Sequence, residues 1–153
     1  MMRTAILFLL ALTTAWGQGG YHPPPVPVPR SIAASFSGAG SALTSGTTPG
    51  VSLVYLAPLA YSCTATVWTI TVDTGTAGFR VWRTASGTAV PTVGNTITGG
   101  GNLAISSNTV LRSTSFANFT GSVAPTFAAG DNIAIQLNAA SSATFATFSL
   151  QCK

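Results

Sequence analysis

The stretch Asp131-Asn132-Ile133-Ala134-Ile135-Gln136-Leu137-Asn138-Ala139-Ala140-Ser141-Ser142-Ala143-Thr144-Phe145-Ala146-Thr147-Phe148-Ser149-Leu150-Gln151-Cys152 carries the fold in its periodicity. Ile133, Ile135 and Leu137 alternate with Ala134, Gln136 and Asn138. Ala146, Phe148, Leu150 and Cys152 alternate with Thr147, Ser149 and Gln151. Apolar residues at every second position set one face of a strand on a core and the other toward water. The small residues Ala139–Ser142 between the two runs predict a turn, and the pair reads as a hairpin.

The same period recurs upstream, broken by Gly, Asn, Ser and Pro. Strands are expected near Ile32–Ser37, Val51–Ala57, Cys63–Val72, Ala77–Thr84, Asn95–Ile97 and Thr109–Phe116. In the third, Trp68, Ile70 and Val72 share a face. Gly99-Gly100-Gly101-Asn102 reads as a loop, and no apolar pattern at helical spacing outlasts a turn. Seven or eight short strands at this spacing predict an all-β antiparallel sandwich with jelly-roll or Greek-key connections. It occupies residues 31–153, enough chain for one ordinary core.

Two segments precede it. Arg3, the apolar run Ala5–Leu12 and the small residues Ala15 and Gly17 have the form of a secretory signal peptide over 1–17, cleaved after Gly17. The run falls well short of the roughly 20 residues that span a bilayer. Residues 18–30 hold five of the nine prolines and predict a semi-rigid linker. The product is expected to be secreted, periplasmic or displayed on the cell surface, with no membrane span. In that setting Cys63 and Cys152 predict a disulfide, worth about 4–5 kcal/mol by loop-closure entropy.

Beyond Gly17 the acid–base inventory is two carboxylates, Asp73 and Asp131, and one histidine, His22, within the linker. Proton transfer and nucleophile activation need such groups clustered. The scarcity predicts a non-enzymatic protein with no cofactor. Asp73 and Asp131 read as turn residues; two separated carboxylates are too few for calcium, and two cysteines without a nearby histidine make a poor zinc site. The pI of 9.7 reflects scarce acids rather than many bases. Arg30, Arg80, Arg83, Arg112 and Lys153 against two Asp leave +3, with no adjacent bases, so no nucleic-acid partner is expected.

Aromatic residues give the better lead. Alternation in Phe79-Arg80-Val81-Trp82-Arg83 sets Arg80 and Trp82 on one face and Phe79, Val81 and Arg83 on the other. With the second set on the core, an exposed Trp82 ring beside Arg80 would suit a sugar. The competing reading buries Trp82 and lets Arg80 reach water. Asn118-Phe119-Thr120 has the form of an N-glycosylation acceptor, meaningful only in a eukaryotic host. Ser and Thr supply about a quarter of the chain and charged residues 5%, which suits a surface binder or a self-assembling protein.

The order of the segments Ser37–Gly46, Ala57–Trp68, Phe79–Arg83, Pro91–Thr98 and Ala129–Asn138 resembles a small β-sandwich module of bacteriophage and prophage tail and tail-fibre proteins. The resemblance covers most of residues 35–152 and implies a sandwich serving in virion structure or receptor contact. The leader, linker and disulfide depart from that setting and point to a cellular protein using such a module outside the cell. The leading expectation is thus an exported, non-enzymatic surface-binding or adhesion module directed at cell-surface glycans. A structural subunit that associates with its own copies, as a trimer for example, comes second; a glycoside hydrolase using the Asp pair is a distant third.

Overall fold

The computed structural model describes residues 30–99, 102–106 and 109–153. The expected leader, the linker as far as residue 29 and two glycines of the Gly99–Gly101 loop lie outside these residues. Nine strands follow in chain order: β1 (Arg30–Ser37), β2 (Leu53–Tyr55), β3 (Cys63–Val72), β4 (Thr76–Thr84), β5 (Leu103–Ser106), β6 (Val110–Ser113), β7 (Thr126–Phe127), β8 (Asn132–Ser141) and β9 (Phe145–Cys152). They form two antiparallel sheets. One runs β1-β9-β3-β6, with β7 pairing the start of β3; the other runs β2-β8-β4-β5.

Without the two-residue β7, the pairs β1–β9, β2–β8, β3–β6 and β4–β5 are nested, first strand with last and so inward. A long antiparallel hairpin rolled around a core gives this order, which is that of a jelly roll. Every connection but β4–β5 and β6–β7 therefore passes between the sheets.

β8 and β9 do not form the expected hairpin. They lie in opposite sheets, and their apolar faces meet across the core. The reason is the length of the apolar face on each. Ile133, Ile135 and Leu137 on β8 and Ala146, Phe148 and Leu150 on β9 are all essentially buried. Stacking the two faces buries both, whereas a flat hairpin leaves both needing another cover. Phe79 of β4 packs between Phe36 of β1 and Phe148 of β9, with ring centroids 5.7 and 5.5 Å apart. Such tilted pairs contribute about 0.5–1.5 kcal/mol beyond area burial.

The remaining strands differ from expectation in instructive ways. Asn95–Ile97 is not a strand. Asn95 Oδ1 accepts from the Thr92 amide at 2.8 Å, and the Asn95 amide donates to the Thr92 carbonyl at 2.8 Å, which closes a 3-10 turn over Val93–Asn95. A short amide side chain that satisfies local backbone competes with a ladder. Thr96 and Thr98 then make single bridges, to Trp82 and Phe119. β5 and β7 were not expected, because four and two residues carry too little alternation to register.

Cys63 and Cys152 form the expected disulfide, with Cα atoms 5.4 Å apart and 89 residues between them. It joins the start of β3 to the end of β9, and reciprocal backbone bonds between Thr64 and Lys153 seal the same end. Closing a loop of this length stabilises the fold by about 4–5 kcal/mol. Reduction is expected to add 2 Da to the mass by the two hydrogens gained and to lower the denaturant midpoint accordingly; Cys152→Ala should reproduce the lower midpoint without reductant.

Candidate functional site

The two carboxylates are fixed at opposite ends of β8. Asp131 immediately precedes the strand. Asp73 meets the far end, where Thr144 and Phe145 follow the β8–β9 corner. Ten residues of strand span roughly 33 Å, so the pair cannot flank one glycosidic bond, which needs carboxyls within about 10 Å. The pair therefore lends the hydrolase reading no support.

Each Asp ties backbone together. Asp73 accepts from the Thr144 hydroxyl and from the amides of Thr74 (2.9 Å), Thr144 (3.0 Å) and Phe145 (3.1 Å), joining the β3–β4 and β8–β9 corners. The Thr144 hydroxyl, with the three amides, draws the carboxyl down to about 2 against a partial opposition from desolvation. Gly75 completes this lock: its φ is +67°, and a Cβ there would lie 2.0 Å from the Ser141 carbonyl oxygen. Asp131 is buried, accepts from the Ala128 amide at 2.9 Å and lies 3.5 Å from Arg83 Nε. Arg83, expected to face the core, sits at its margin, where it also donates to the Thr126 carbonyl.

Alternation in β4 is as read: Phe79 and Val81 enter the core, and Arg80 and Trp82 face the other way. The exposed ring is not there. Trp82 is 2% exposed and packs with Leu53 and Ala134 in a second small cluster on the outside of its sheet. The long β1–β2 connection crosses this face, where Gln136 Nε2 donates to the Gly46 carbonyl at 2.8 Å. Trp82 Nε1 and Gln136 Oε1 are both buried without a hydrogen-bond partner. His22 falls outside the described residues, and among those residues no cluster of three His, Cys, Asp or Glu occurs.

Arg80 leads elsewhere. Its Nε donates to Asn102 Oδ1 at 3.0 Å, and Asn138 Nδ2 donates to the same oxygen at 2.9 Å. With Oδ1 taken twice, the Asn102 amide nitrogen is oriented as a donor pair, and no acceptor meets it among the described residues. Gly78 lies beneath this group, where a Cβ would come into van der Waals contact with the Asn102 Cβ at 3.4 Å.

Asn102 borders an open groove of about 420 Å³ between β5 and β6, the edge strands of the two sheets. β5 and the residue before it contribute Ala104 and Asn102; β6 and the turn after it contribute Leu111, Ser113, Ser115, Ala117 and Asn118; buried Trp68 of β3 lines the base. Trp68 Nε1 donates to the Ser115 carbonyl at 2.7 Å, which leaves the ring as an apolar surface. Ser113 Oγ accepts from the Ser115 amide at 3.0 Å and keeps its own O–H as donor. Among the described residues no charged side chain lines the groove. Two carboxamides and two hydroxyls thus converge over an indole and three aliphatic residues.

The groove was hidden from sequence reading because its walls come from strands that do not pair, one of them unrecognised. Asn102 after the glycine run and Asn118 in the glycosylation-like tripeptide were the available signals. Comparison of the chain with protein-family models, curated proteins and solved structures finds no match. The likeness to phage-tail modules therefore rests on the residues quoted for it alone.

Asp73→Asn tests the corner lock. A carboxyl lowered from 3.8 to about 2 on folding stabilises the native state above pH 4 and loses that contribution as pH falls toward 2. Thermal melts should show the wild type losing stability through this window. The variant should melt lower at neutral pH and show a flatter profile between pH 4 and 2. Trp82→Ala is expected to cost about 3 kcal/mol or more by chemical denaturation, as for a large buried aromatic.

Proposed function

We propose that this chain is an exported, non-enzymatic β-sandwich that binds neutral glycans of a cell surface in the groove between β5 and β6. The observation that carries the reading is the groove's chemistry. Its volume lies within the usual range for ligand sites. Its polar groups are carboxamides and hydroxyls, and its base is an aromatic ring flanked by methyl groups. Vicinal sugar hydroxyls pair with carboxamide donors and acceptors, while the C–H faces of a pyranose ring lie against apolar side chains. The absence of charge on the lining among the described residues disfavours phosphates and acidic sugars over neutral ones, since a buried ion needs a partner.

Export is supported by the leader-like sequence and the disulfide, which persists in oxidising compartments. Among the described residues no helix is long and apolar enough to cross a membrane. Trp82 has no part in the reading. Arg80 enters as a positioning residue, because it fixes which end of the Asn102 carboxamide points away from Asn138.

A glycan array probed with the labelled protein should retain neutral oligosaccharides. Asn102→Ala and Asn118→Ala should each weaken binding about tenfold, the loss of one or two hydrogen bonds. Asn118 is exposed, so its variant should melt as the wild type does. Arg80→Met should weaken binding by freeing Asn102 to rotate. An array with nothing retained, or binding indifferent to both asparagine variants, would remove the proposal.

A further inference from the structure

The two sheets have four edges, and three of them are short. β2 has three residues, while β5 and β6 have four each. β1 is different. Its eight residues pair with β9 along their whole length, from Arg30↔Cys152 to Ser37↔Phe145, without a bulge. One step further, the Gly38 amide donates to the Thr144 carbonyl at 2.8 Å, continuing the same register. Hydrogen-bonded and non-hydrogen-bonded pairs alternate along an antiparallel ladder. Even-numbered residues of β1 therefore bond to β9, and Ser31, Ala33, Ser35 and Ser37 direct their amides and carbonyls away from the sheet. Among the described residues nothing bonds to those groups.

Edges of this length normally carry a lysine, a proline or a bulge that discourages pairing. Ser31–Ser37 has none. The charge at the start of the strand, Arg30, is drawn aside over the Tyr61 ring at 4.1 Å. The four outward-bonding residues are exposed and are Ser, Ala, Ser and Ser, small enough for a second backbone to approach. The edge of the other sheet on the same side, β2, is flanked by exposed Val51 and ends at exposed Tyr55. Pro27 and Pro29, which precede Arg30 in the sequence, have no amide hydrogen to offer a ladder.

We propose that the free edge of β1 pairs antiparallel with β1 of a second copy about a two-fold axis. Ser31 then lies opposite Ser37 of the second copy and Ala33 opposite Ser35, so that the two sheets join into one. A strand meeting itself antiparallel is self-complementary, which is the condition for a closed two-fold interface. Ile32, Ala34 and Phe36 of both copies fall on the same side, and the two cores line up across the junction. The apolar residues beside β2 add contact area in the second layer. The two-fold arrangement sets two copies back to back, with their β5–β6 grooves on opposite outer flanks. Two glycan sites so displayed engage one surface with avidity, although the pairing itself does not depend on the groove's ligand.

Light scattering and hydrogen exchange on protein expressed with residues 1–153 test this. The expected result is a mass of two chains that falls to one on dilution. The Ser31, Ala33, Ser35 and Ser37 amides should be protected only in the dimer. Ala33→Pro removes one outward amide without touching the β9 ladder, and Ser35→Lys adds a charge to the edge. Each should raise the dissociation constant about tenfold or more while leaving the melt of the diluted monomer near wild type. Thr71→Lys, on the same outer face but two strands away, should leave association unchanged. A chain that stays monomeric throughout the concentration series overturns the proposal. So does a dimer weakened by Thr71→Lys and indifferent to both β1 variants. Amides that remain protected in the diluted monomer would assign the edge to the chain's own N-terminal segment, with the same consequence.

Discussion

The apolar face of β8, Ile133, Ile135 and Leu137, lies across the core from that of β9, Ala146, Phe148 and Leu150, and the rest of the molecule is arranged around this contact. Both strands are central in their sheets, so neither can be removed without opening a core. Because consecutive strands face each other instead of pairing, the chain must turn a corner between sheets within 142–144. Ser142 takes a φ of +62° there, and Asp73 gathers the amides of Thr144 and Phe145 that the corner leaves outside any ladder. The disulfide closes the opposite end of β9 against β3. Stacking, corner and bridge are three parts of one constraint.

That constraint explains how a domain with so few charges uses them. Asp73 serves the corner, Asp131 and Arg83 tie the loop before β8 to the end of β4, and Arg80 orients Asn102. Arg30 rests on Tyr61. All of these but Arg30 organise backbone or a neighbouring amide, an arrangement that stabilises by charge-assisted hydrogen bonds rather than by exposed ion pairs, which contribute little. The lining of the β5–β6 groove, in which we place recognition, is by contrast carboxamides, hydroxyls and an aromatic base.

Period-two alternation made the fold class legible. The inward faces of β1, β3, β4, β8 and β9 follow it, and the bounds of β3 coincide with the expected Cys63–Val72. Pairing was not legible at the final two strands, because a turn of small polar residues serves equally for a hairpin and for a corner between sheets. The choice was made by burial on both sides of the core, a property of eight strands together. Trp82 shows the same limit. Alternation puts it on the outer face but leaves open whether that face meets solvent; a connection distant in sequence covers it, so the reading that buries Trp82 is the one found. The groove was the least legible feature, because Asn102 and Asn118 come together only after β5 and β6 have become the edges of different sheets. Asp73 could be read as a turn residue; that its turn would capture another corner 71 residues away could not.

The central claim is that ligand chemistry resides at Trp68 and not at Trp82, and the chain offers two internal probes for it. Residues 18–153 contain two indole N–H groups, one bonded to the Ser115 carbonyl beside the groove and one buried on the far face of the other sheet without a partner among the described residues. Their resonances in a proton–nitrogen spectrum can be followed during titration with neutral oligosaccharides. The account predicts that the Trp68 indole and the Asn102 and Asn118 side-chain amides shift together with saturation, while the Trp82 indole stays in place. Saturable movement of Trp82 with Trp68 unmoved, or no movement of the Trp68 indole with any neutral sugar, would contradict it.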